Sequence, residues 1–298
     1  MPHRDARLAR LEDILCALGG CVVAYSGGVD SAFLLTVARR TLGDRVAAAT
    51  VRTLFIDRRE AEQAQSRATA LGVRHEMIDL DLEGHPEVLA NPSDRCYYCK
   101  RLVFTALRRH ADELGLPVLV DATHADDLRE RRPGVRALRE LAIVSPLATA
   151  GLRKADIREL STALGIEGAD RPSSPCLATR IPYGSPITRK RLRRVAGAEH
   201  ILRALGFAGT RVRDYEDLAR IELQHADLER AAAWPLRRSI VEPLHDLGYR
   251  YVTLDLAGYR SGSMDEVLPT EGADPAGAEG PRSAEGRRRA DGSFPEPA

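Results

Sequence analysis

The apolar positions change period along the chain, and the changes outline the fold. Over residues 6–18 they fall at Leu8, Leu11, Ile14, Leu15 and Leu18, the spacing of an amphipathic helix, and Gly19-Gly20 ends it. Cys21-Val22-Val23-Ala24-Tyr25 is a continuous apolar run, as expected of a strand buried on both faces. The polar stretch Ser26-Gly27-Gly28-Val29-Asp30-Ser31 interrupts it, and residues 32–38 resume as a helix. Residues 45–51 predict a second strand, 57–71 a helix closed by Gly72, and 73–80 a third strand. Strand and helix in alternation predict an α/β fold with a doubly wound parallel sheet.

Further along, residues 85–94 read as a loop that leads into Cys96-Tyr97-Tyr98-Cys99-Lys100, followed by a helix over 101–114. A fourth strand is expected at 117–122, a charged loop at 124–132, a short helix at 134–141, a fifth strand at 142–147 and a helix at 154–164. Residues 171–186 carry four prolines and read as an ordered functional loop and linker. The pattern then shifts to a basic helix at 187–205, strands at 210–215, 218–223 and 249–256, and helices at 227–233 and 238–247. This describes a smaller C-terminal α+β domain. From 265 onward Gly, Pro, Glu, Arg and Ser dominate, so a disordered tail is expected. The organisation expected is a nucleotide domain at 1–170, an active-site loop at 171–186, the α+β domain at 187–264 and the tail at 265–298.

Composition narrows the class. The 298 residues are 44% hydrophobic and 29% charged, an ordinary globular balance. The net charge of +1 gives no general attraction to nucleic acid or to a membrane surface. The first ten residues are charged and lack the apolar core of a signal peptide, and no run reaches membrane-spanning length, so a cytoplasmic protein is expected. Five cysteines, an odd number, point to thiol or metal chemistry rather than a disulfide framework.

Three stretches carry candidate chemistry. A turn between a buried strand and a helix aims backbone N–H groups and the positive helix end at one point, which suits a phosphate. Gly27 and Gly28 let the backbone approach the anion, Ser26 and Ser31 supply hydroxyls, and Asp30 can hold Mg²⁺. The plain alternative is a tight turn without a ligand. Cys176 lies in a proline-rich loop, where Arg171 and Arg180 would lower its pKa and favour thiolate; an unreactive loop thiol is the other reading. The C-x-x-C pair Cys96 and Cys99 is open to three readings: a redox pair, half a zinc site, or iron–sulfur ligands. Cys16 and Cys21, on the first helix and first strand, read as packing residues. Cys96, Cys99 and Cys176 together would supply three thiolates, which suits a [4Fe–4S] cluster with one iron open.

The stretch S-G-G-V-D-S resembles the PP-loop of the ATP pyrophosphatase superfamily, of adenine nucleotide alpha hydrolase-like fold, which cleaves ATP between the α- and β-phosphates and adenylates a substrate. With R-C-Y-Y-C-K at 95–100, A-D-D-L…R-P-G at 125–134, S-P-L at 145–147, C-L-A-T-R-I-P-Y-G at 176–184 and V-T-L-D-L-A-G-Y-R-S-G-S-M at 252–264, the chain resembles the LarE-type sulfur transferases over residues 10–264. It departs from their pattern at Ala122, His124 and Arg131, where Gly, Asn and Tyr are expected. The resemblance implies ATP, Mg²⁺ and a homo-oligomer. It implies adenylation of a carboxylate of pyridinium-3,5-biscarboxylic acid mononucleotide and its replacement by a thiocarboxylate, in making the nickel-pincer cofactor of lactate racemase. Cys176 would be catalytic, either surrendering its own sulfur and becoming dehydroalanine, as in members with a single cysteine, or joining Cys96 and Cys99 to hold the cluster, refilled by a sulfide donor, the kind this chain resembles. Arg211, Arg213 and Arg260 are candidates for the substrate phosphate, a solvated strand face being the alternative for the first two; Glu222 either faces that pocket or lies exposed. Two other functions are weighed. A PP-loop tRNA thiolase would use the basic helix near 189–194 on RNA, and a nucleotide-binding regulator without turnover would need no sulfur site.

Overall fold

In the computed structural model, which describes residues 5–116, 118–128, 133–166, 176–260 and 262–266, the chain begins with α1 (Ala6–Leu18), capped by the Asp5 carboxylate accepting from Arg7 N at 2.8 Å. There follow β1 (Cys21–Ala24), α2 (Val29–Leu42), β2 (Val46–Arg52), α3 (Arg58–Ala70) and β3 (Arg74–Asp79). The next elements are α4 (Pro86–Leu89), α5 (Arg95–Glu113), β4 (Leu119–Val120), α6 (Pro133–Glu140), α7 (Pro146–Thr149) and α8 (Lys154–Ala163). All four strands are parallel, in the order β3-β2-β1-β4. Strand order therefore reverses at β1, between β2 and β4. In an open α/β sheet the crevice beyond the strand C-termini at such a switch point is where ligands bind.

The period-two alternation of the inner strands explains why helices cover both faces. Cys21, Val23, Val46 and Ala48 pack with Leu11, Leu15, Phe33, Leu34, Ala64 and Ile157, from α1, α2, α3 and α8. Val22, Ala47, Ala49 and Val51 turn the other way, onto Phe104, Leu107 and Ala111 of α5 and Leu138 of α6. Small alanines on β2 let the helices approach the sheet closely.

After the short turn Leu177–Arg180, the chain forms α9 (Arg189–Ala204), β5 (Arg211–Tyr215), β6 (Leu218–Glu222), α10 (Leu228–Ala232), α11 (Leu236–Asp246) and β7 (Tyr251–Leu254). β5 and β6 are an antiparallel hairpin, and β7 adds in parallel beside β6. Val212, Ala219 and Ile221 pack with Ala198, Leu202, Phe207, Ile240 and Leu244. The two sheets belong to one unit of mutual contacts that ends at Met264. Among the described residues no helix is long and apolar enough to cross a membrane.

Several elements differ from expectation. The C-x-x-C pair does not precede a helix; it lies in the first turns of α5, which starts at Arg95 rather than 101. Two aromatic residues in a row weaken helix propensity, but Tyr97 is buried against α6, where its hydroxyl donates to Glu140 Oε2 at 2.6 Å and Arg136 stacks on its ring. The fifth strand reduces to one bridge, Val120 to Val144. Ala142 has φ of +49°, and Pro146, which lacks an N–H, opens α7 in place of a strand. The loop at 85–94 contains α4. Cys21 is buried, whereas Cys16 is exposed and so is not a packing residue. The tail beyond residue 266, the loop with Arg171 and the departure at Arg131 lie outside the described residues.

The strongest polar node of the second sheet is Asp214, fully buried on β5. It accepts from Arg191 Nε at 2.8 Å, from Arg194 Nη2 at 2.7 Å and from the Tyr249 hydroxyl at 3.1 Å. Asp214→Ala would strand two largely buried guanidinium groups, a loss of about 3–5 kcal/mol. Urea unfolding should show this as a lower midpoint at unchanged slope. A wild-type midpoint would show that the node does not hold the sheet.

Candidate active site

The glycine-rich turn leaves β1 at the switch point. Tyr25 N still donates to Ala49 O at 2.9 Å, as though extending the strand, and then the chain turns through Gly27 at φ +74°. A Cβ on Gly27 would lie 2.7 Å from Ala64 Cβ of α3, so only glycine fits there. Gly28 caps α2 without any side-chain acceptor, which leaves the first N–H groups of the helix directed at the crevice. Ser31 Oγ donates to Gly28 O at 3.0 Å and lies 3.1 Å from Ser26 Oγ. Arg67 of α3 donates to Gly27 O at 2.7 Å and holds the turn from outside.

The other wall of the crevice follows β4. Asp127 Oδ2 accepts from His124 N at 3.0 Å, and Asp126 Oδ2 accepts from Lys154 N at 2.8 Å. That bond seats the first residue of α8 opposite the turn. The Lys154 ammonium then lies 2.6 Å from both oxygens of Asp30. Asp30, expected to hold Mg²⁺, thus makes its short contacts with a lysine from 124 positions away, which the sequence reading did not include. Among the described residues no three His, Cys, Asp or Glu side chains are placed to hold a single metal ion.

The Cys176 segment folds over the same crevice. Leu177 N donates to Phe55 O at 2.8 Å, which ties it to the loop after β2. A cavity of about 190 Å³ is lined by Ser26 of the turn and by Cys176, with Asp57, Glu60, Arg180 and Glu199 around it. A second cavity, of about 470 Å³, opens beyond the C-terminal ends of β2 and β3 and shares Ile56 with the first. Cys96 and Cys99 stand one helical turn apart on α5, and Cys99 and Cys176 pack against one apolar cluster with Phe55, Leu82 and Val88.

The thiol electrostatics differ from expectation. Burial pushes the Cys176 thiol up; Arg95 opposes this first and Arg180 less, so the net direction is upward rather than down. Burial, with Cys176 and Cys96 nearby, pushes Cys99 up to about 12. Each thiol lies within electrostatic range of the others.

The candidate arginines are not a solvated strand face. Arg211 and Arg213 are both 5% exposed. Arg213 is bidentate to Glu222 at 2.9 and 2.7 Å, and also donates to Thr179 O and Ser263 Oγ. Glu222 is therefore buried in a pair rather than exposed. Arg211 lies over the Tyr259 ring, and burial together with Arg180 lowers its pKa. On the basic helix Arg189 pairs with Glu83 and Arg191 and Arg194 pair with Asp214, while Lys190 and Arg193 are exposed. Sequence reading also missed Glu199, bidentate to Arg180 at 2.7 and 3.1 Å with both side chains 2% exposed. Their separation of 19 residues carries no local pattern that would reveal the pair.

The family described as queuosine biosynthesis protein QueC matches residues 20–89, the span from β1 to α4 that includes the turn. An uncharacterized protein of Synechocystis is 38% identical over 264 residues, covering 89% of this chain and 98% of that protein. The pyridinium-3,5-bisthiocarboxylic acid mononucleotide synthase of Lactiplantibacillus plantarum is 35% identical over 247 residues, 83% of this chain and 89% of that one. An uncharacterized protein of Methanocaldococcus jannaschii is 32% identical, covering 80% and 90%. On this likeness the chain belongs to the LarE-type sulfur transferases of the PP-loop family.

Proposed function

We propose that the protein is an ATP-dependent sulfur transferase that releases AMP and pyrophosphate, adenylates a carboxylate of pyridinium-3,5-biscarboxylic acid mononucleotide and replaces it with a thiocarboxylate. The observation that carries this reading is the cavity lined by both Ser26 and Cys176: phosphate-binding turn and sulfur site share one small space. The name of the Lactiplantibacillus relative supports the substrate.

The chemistry follows from the parts. ATP phosphates lie against the turn 26–31 and the open N–H groups of α2, with the nucleoside toward the larger cavity. Lys154 supplies a cation at that turn. Asp30 would hold Mg²⁺, which would neutralise the leaving pyrophosphate. A substrate carboxylate oxygen attacks the α-phosphorus and expels pyrophosphate. A carboxylate has no leaving group of its own, and adenylation gives it AMP. A sulfur anion then forms the C–S bond while the C–O bond breaks and AMP leaves with the electron pair. Arg211 and Arg260 would receive the substrate phosphate, and Arg213, committed to Glu222, positions the strand that carries Arg211. Cys96, Cys99 and Cys176 offer the thiol donors a [4Fe–4S] cluster takes, although these side chains are not placed here to hold one metal together. Cys96, Cys99 and Cys176 would hold it, and it would supply an iron that carries sulfide.

Two outcomes test the reading. Lys154→Met and Asp30→Ala should abolish AMP and pyrophosphate release, while Cys176→Ala should still release both and form no thiocarboxylate. Product analysis by chromatography separates these cases, and ADP with phosphate as products would sink the proposal. For the turn itself, Gly27→Ala should weaken ATP binding more than about tenfold, since it adds both strain at positive φ and a clash. Gly28→Ala should have a smaller effect, because its added carbon meets only Ser26 Oγ, at 3.4 Å. Calorimetry showing equal affinities for both variants would contradict the role given to the turn.

A further inference from the structure

A buried polar chain leads from β3 to the phosphate turn, and the mechanism above does not use it. His75 of β3 reaches across to Thr50 of β2, with Nε2 2.8 Å from Thr50 Oγ1. The Thr50 hydroxyl in turn donates to Tyr25 O at 2.6 Å. Tyr25 is the last residue before the turn at 26–31. Thr50 and Tyr25 are 3% and 2% exposed, so water does not compete for these bonds. Proton counting fixes the direction of the chain. Thr50 Oγ1 carries one hydrogen and Tyr25 O can only accept, so His75 Nε2 is the donor to Thr50 Oγ1. Burial lowers the pKa of the ring, with Glu76 opposing, so the ring is neutral and Nδ1 carries no proton. Nδ1 is itself buried and has no hydrogen-bond partner. A buried acceptor without a partner costs free energy, yet the ring is kept. Its one polar contact here is Thr50.

We propose that His75 is a positioning residue of the phosphate turn, acting through the Thr50 hydroxyl on the Tyr25 carbonyl. The role rests on the reading that the turn at 26–31 binds ATP phosphates. Tyr25 N and Tyr25 O both face β2, the first on Ala49 O and the second on Thr50 Oγ1. The Tyr25–Ser26 peptide is trans, which sets its N–H opposite its C=O. Ser26 N–H is thereby aimed away from β2 and towards the β4 side of the switch point. The paired register of β1 and β2 ends at Ala24 and Ala49, so the Thr50 hydroxyl takes hold of the chain where the ladder stops. Without that hold the peptide before Ser26 is free to rotate, and a donor leaves the phosphate. A purely packing role for His75 would rest on its ring, which stands edge-on to Tyr25 at 6.1 Å between centroids, and would not depend on a donor at Nε2.

Calorimetric titration of the full-length chain with Mg²⁺ and ATP tests the role, on variants shown to be folded by circular dichroism. His75→Leu and Thr50→Val should each weaken binding roughly tenfold, the scale of one buried hydrogen bond left unmade. His75→Gln, whose amide nitrogen reaches the Nε2 position, should bind within about threefold of wild type. His75→Asn, whose amide stops at the Nδ1 position, should bind like His75→Leu. The double variant should bind no worse than Thr50→Val alone, because both changes act on one carbonyl. Wild-type affinity in His75→Leu, equal loss in His75→Gln and His75→Leu, or additive losses in the double variant would each overturn the proposal. Should the apolar variants fail to fold, nitrogen-15 NMR of the wild-type ring decides: a neutral ring protonated at Nε2 supports the chain of bonds, and one protonated at Nδ1 overturns it. A wild-type chain that binds no ATP would sink the nucleotide reading and this role together, whereas ATP binding that ignores His75 sinks this role alone.

Discussion

The placement of Cys176 depends on the buried pair of Arg180 and Glu199. Arg180 closes the short turn that carries the cysteine, and its Nη1 donates back to Cys176 O at 3.3 Å. Glu199 belongs to α9, and its Oε1 also accepts from Val212 N of β5 at 3.1 Å. One carboxylate thus fixes the sulfur turn, a helix and a strand of the second sheet. On the other side, Leu177 N bonds Phe55 O, and Asn91 Nδ2 donates to Ile181 O and Pro182 O. These attachments bind the turn to the C-terminal edge of the first sheet. A buried ion pair contributes little net stability, because desolvation offsets the attraction, but losing one member leaves a stranded charge. The pair therefore specifies position more than it adds strength, and position is what a transfer between a phosphate turn and a thiol requires.

The same residue type serves three ends here, and partners distinguish them. Arg180 and Arg213 are structural: each has a glutamate in fork geometry. Arg191 and Arg194 share one aspartate and close a sheet. Arg95 has backbone, amide, thiol and aromatic neighbours, and Arg211 is crowded by Arg180 so that burial and repulsion both lower its pKa. Counting arginines cannot make this distinction; it comes from what each one faces.

Much of the first sheet was legible because its signals are local. A buried apolar run, two glycines and a following helix lie within about twenty residues, and the switch point follows from strand order. Lys154 was not legible, since its contact with Asp30 spans 124 positions and depends on Asp126 seating the start of α8. The start of α5 was misplaced because consecutive tyrosines lower local propensity while tertiary packing of Tyr97 on α6 overrides it. The shift at Cys176 was misjudged for a related reason. Nearby arginines are visible in a sequence, and the burial that outweighs them is not.

The departures at Ala122 and His124 can be weighed in the same physical terms. The bonds that shape this wall of the crevice run from carboxylates to backbone: Asp127 to His124 N, and Asp126 to Lys154 N. Neither uses the side chain at 124. The Ala122 side chain packs at the edge of the main apolar cluster, so its methyl group has room where glycine would have left a gap. The wall therefore keeps its form through both changes. What changes is the side chain: the imidazole Nδ1 stands 3.5 Å from Asp127 and 3.8 Å from Asp126, beside the carboxylate that seats Lys154. Because the Lys154 ammonium in turn holds Asp30, the side chain at 124 is linked to the turn at 26–31 through Asp126, the Lys154 backbone N and the Lys154 ammonium.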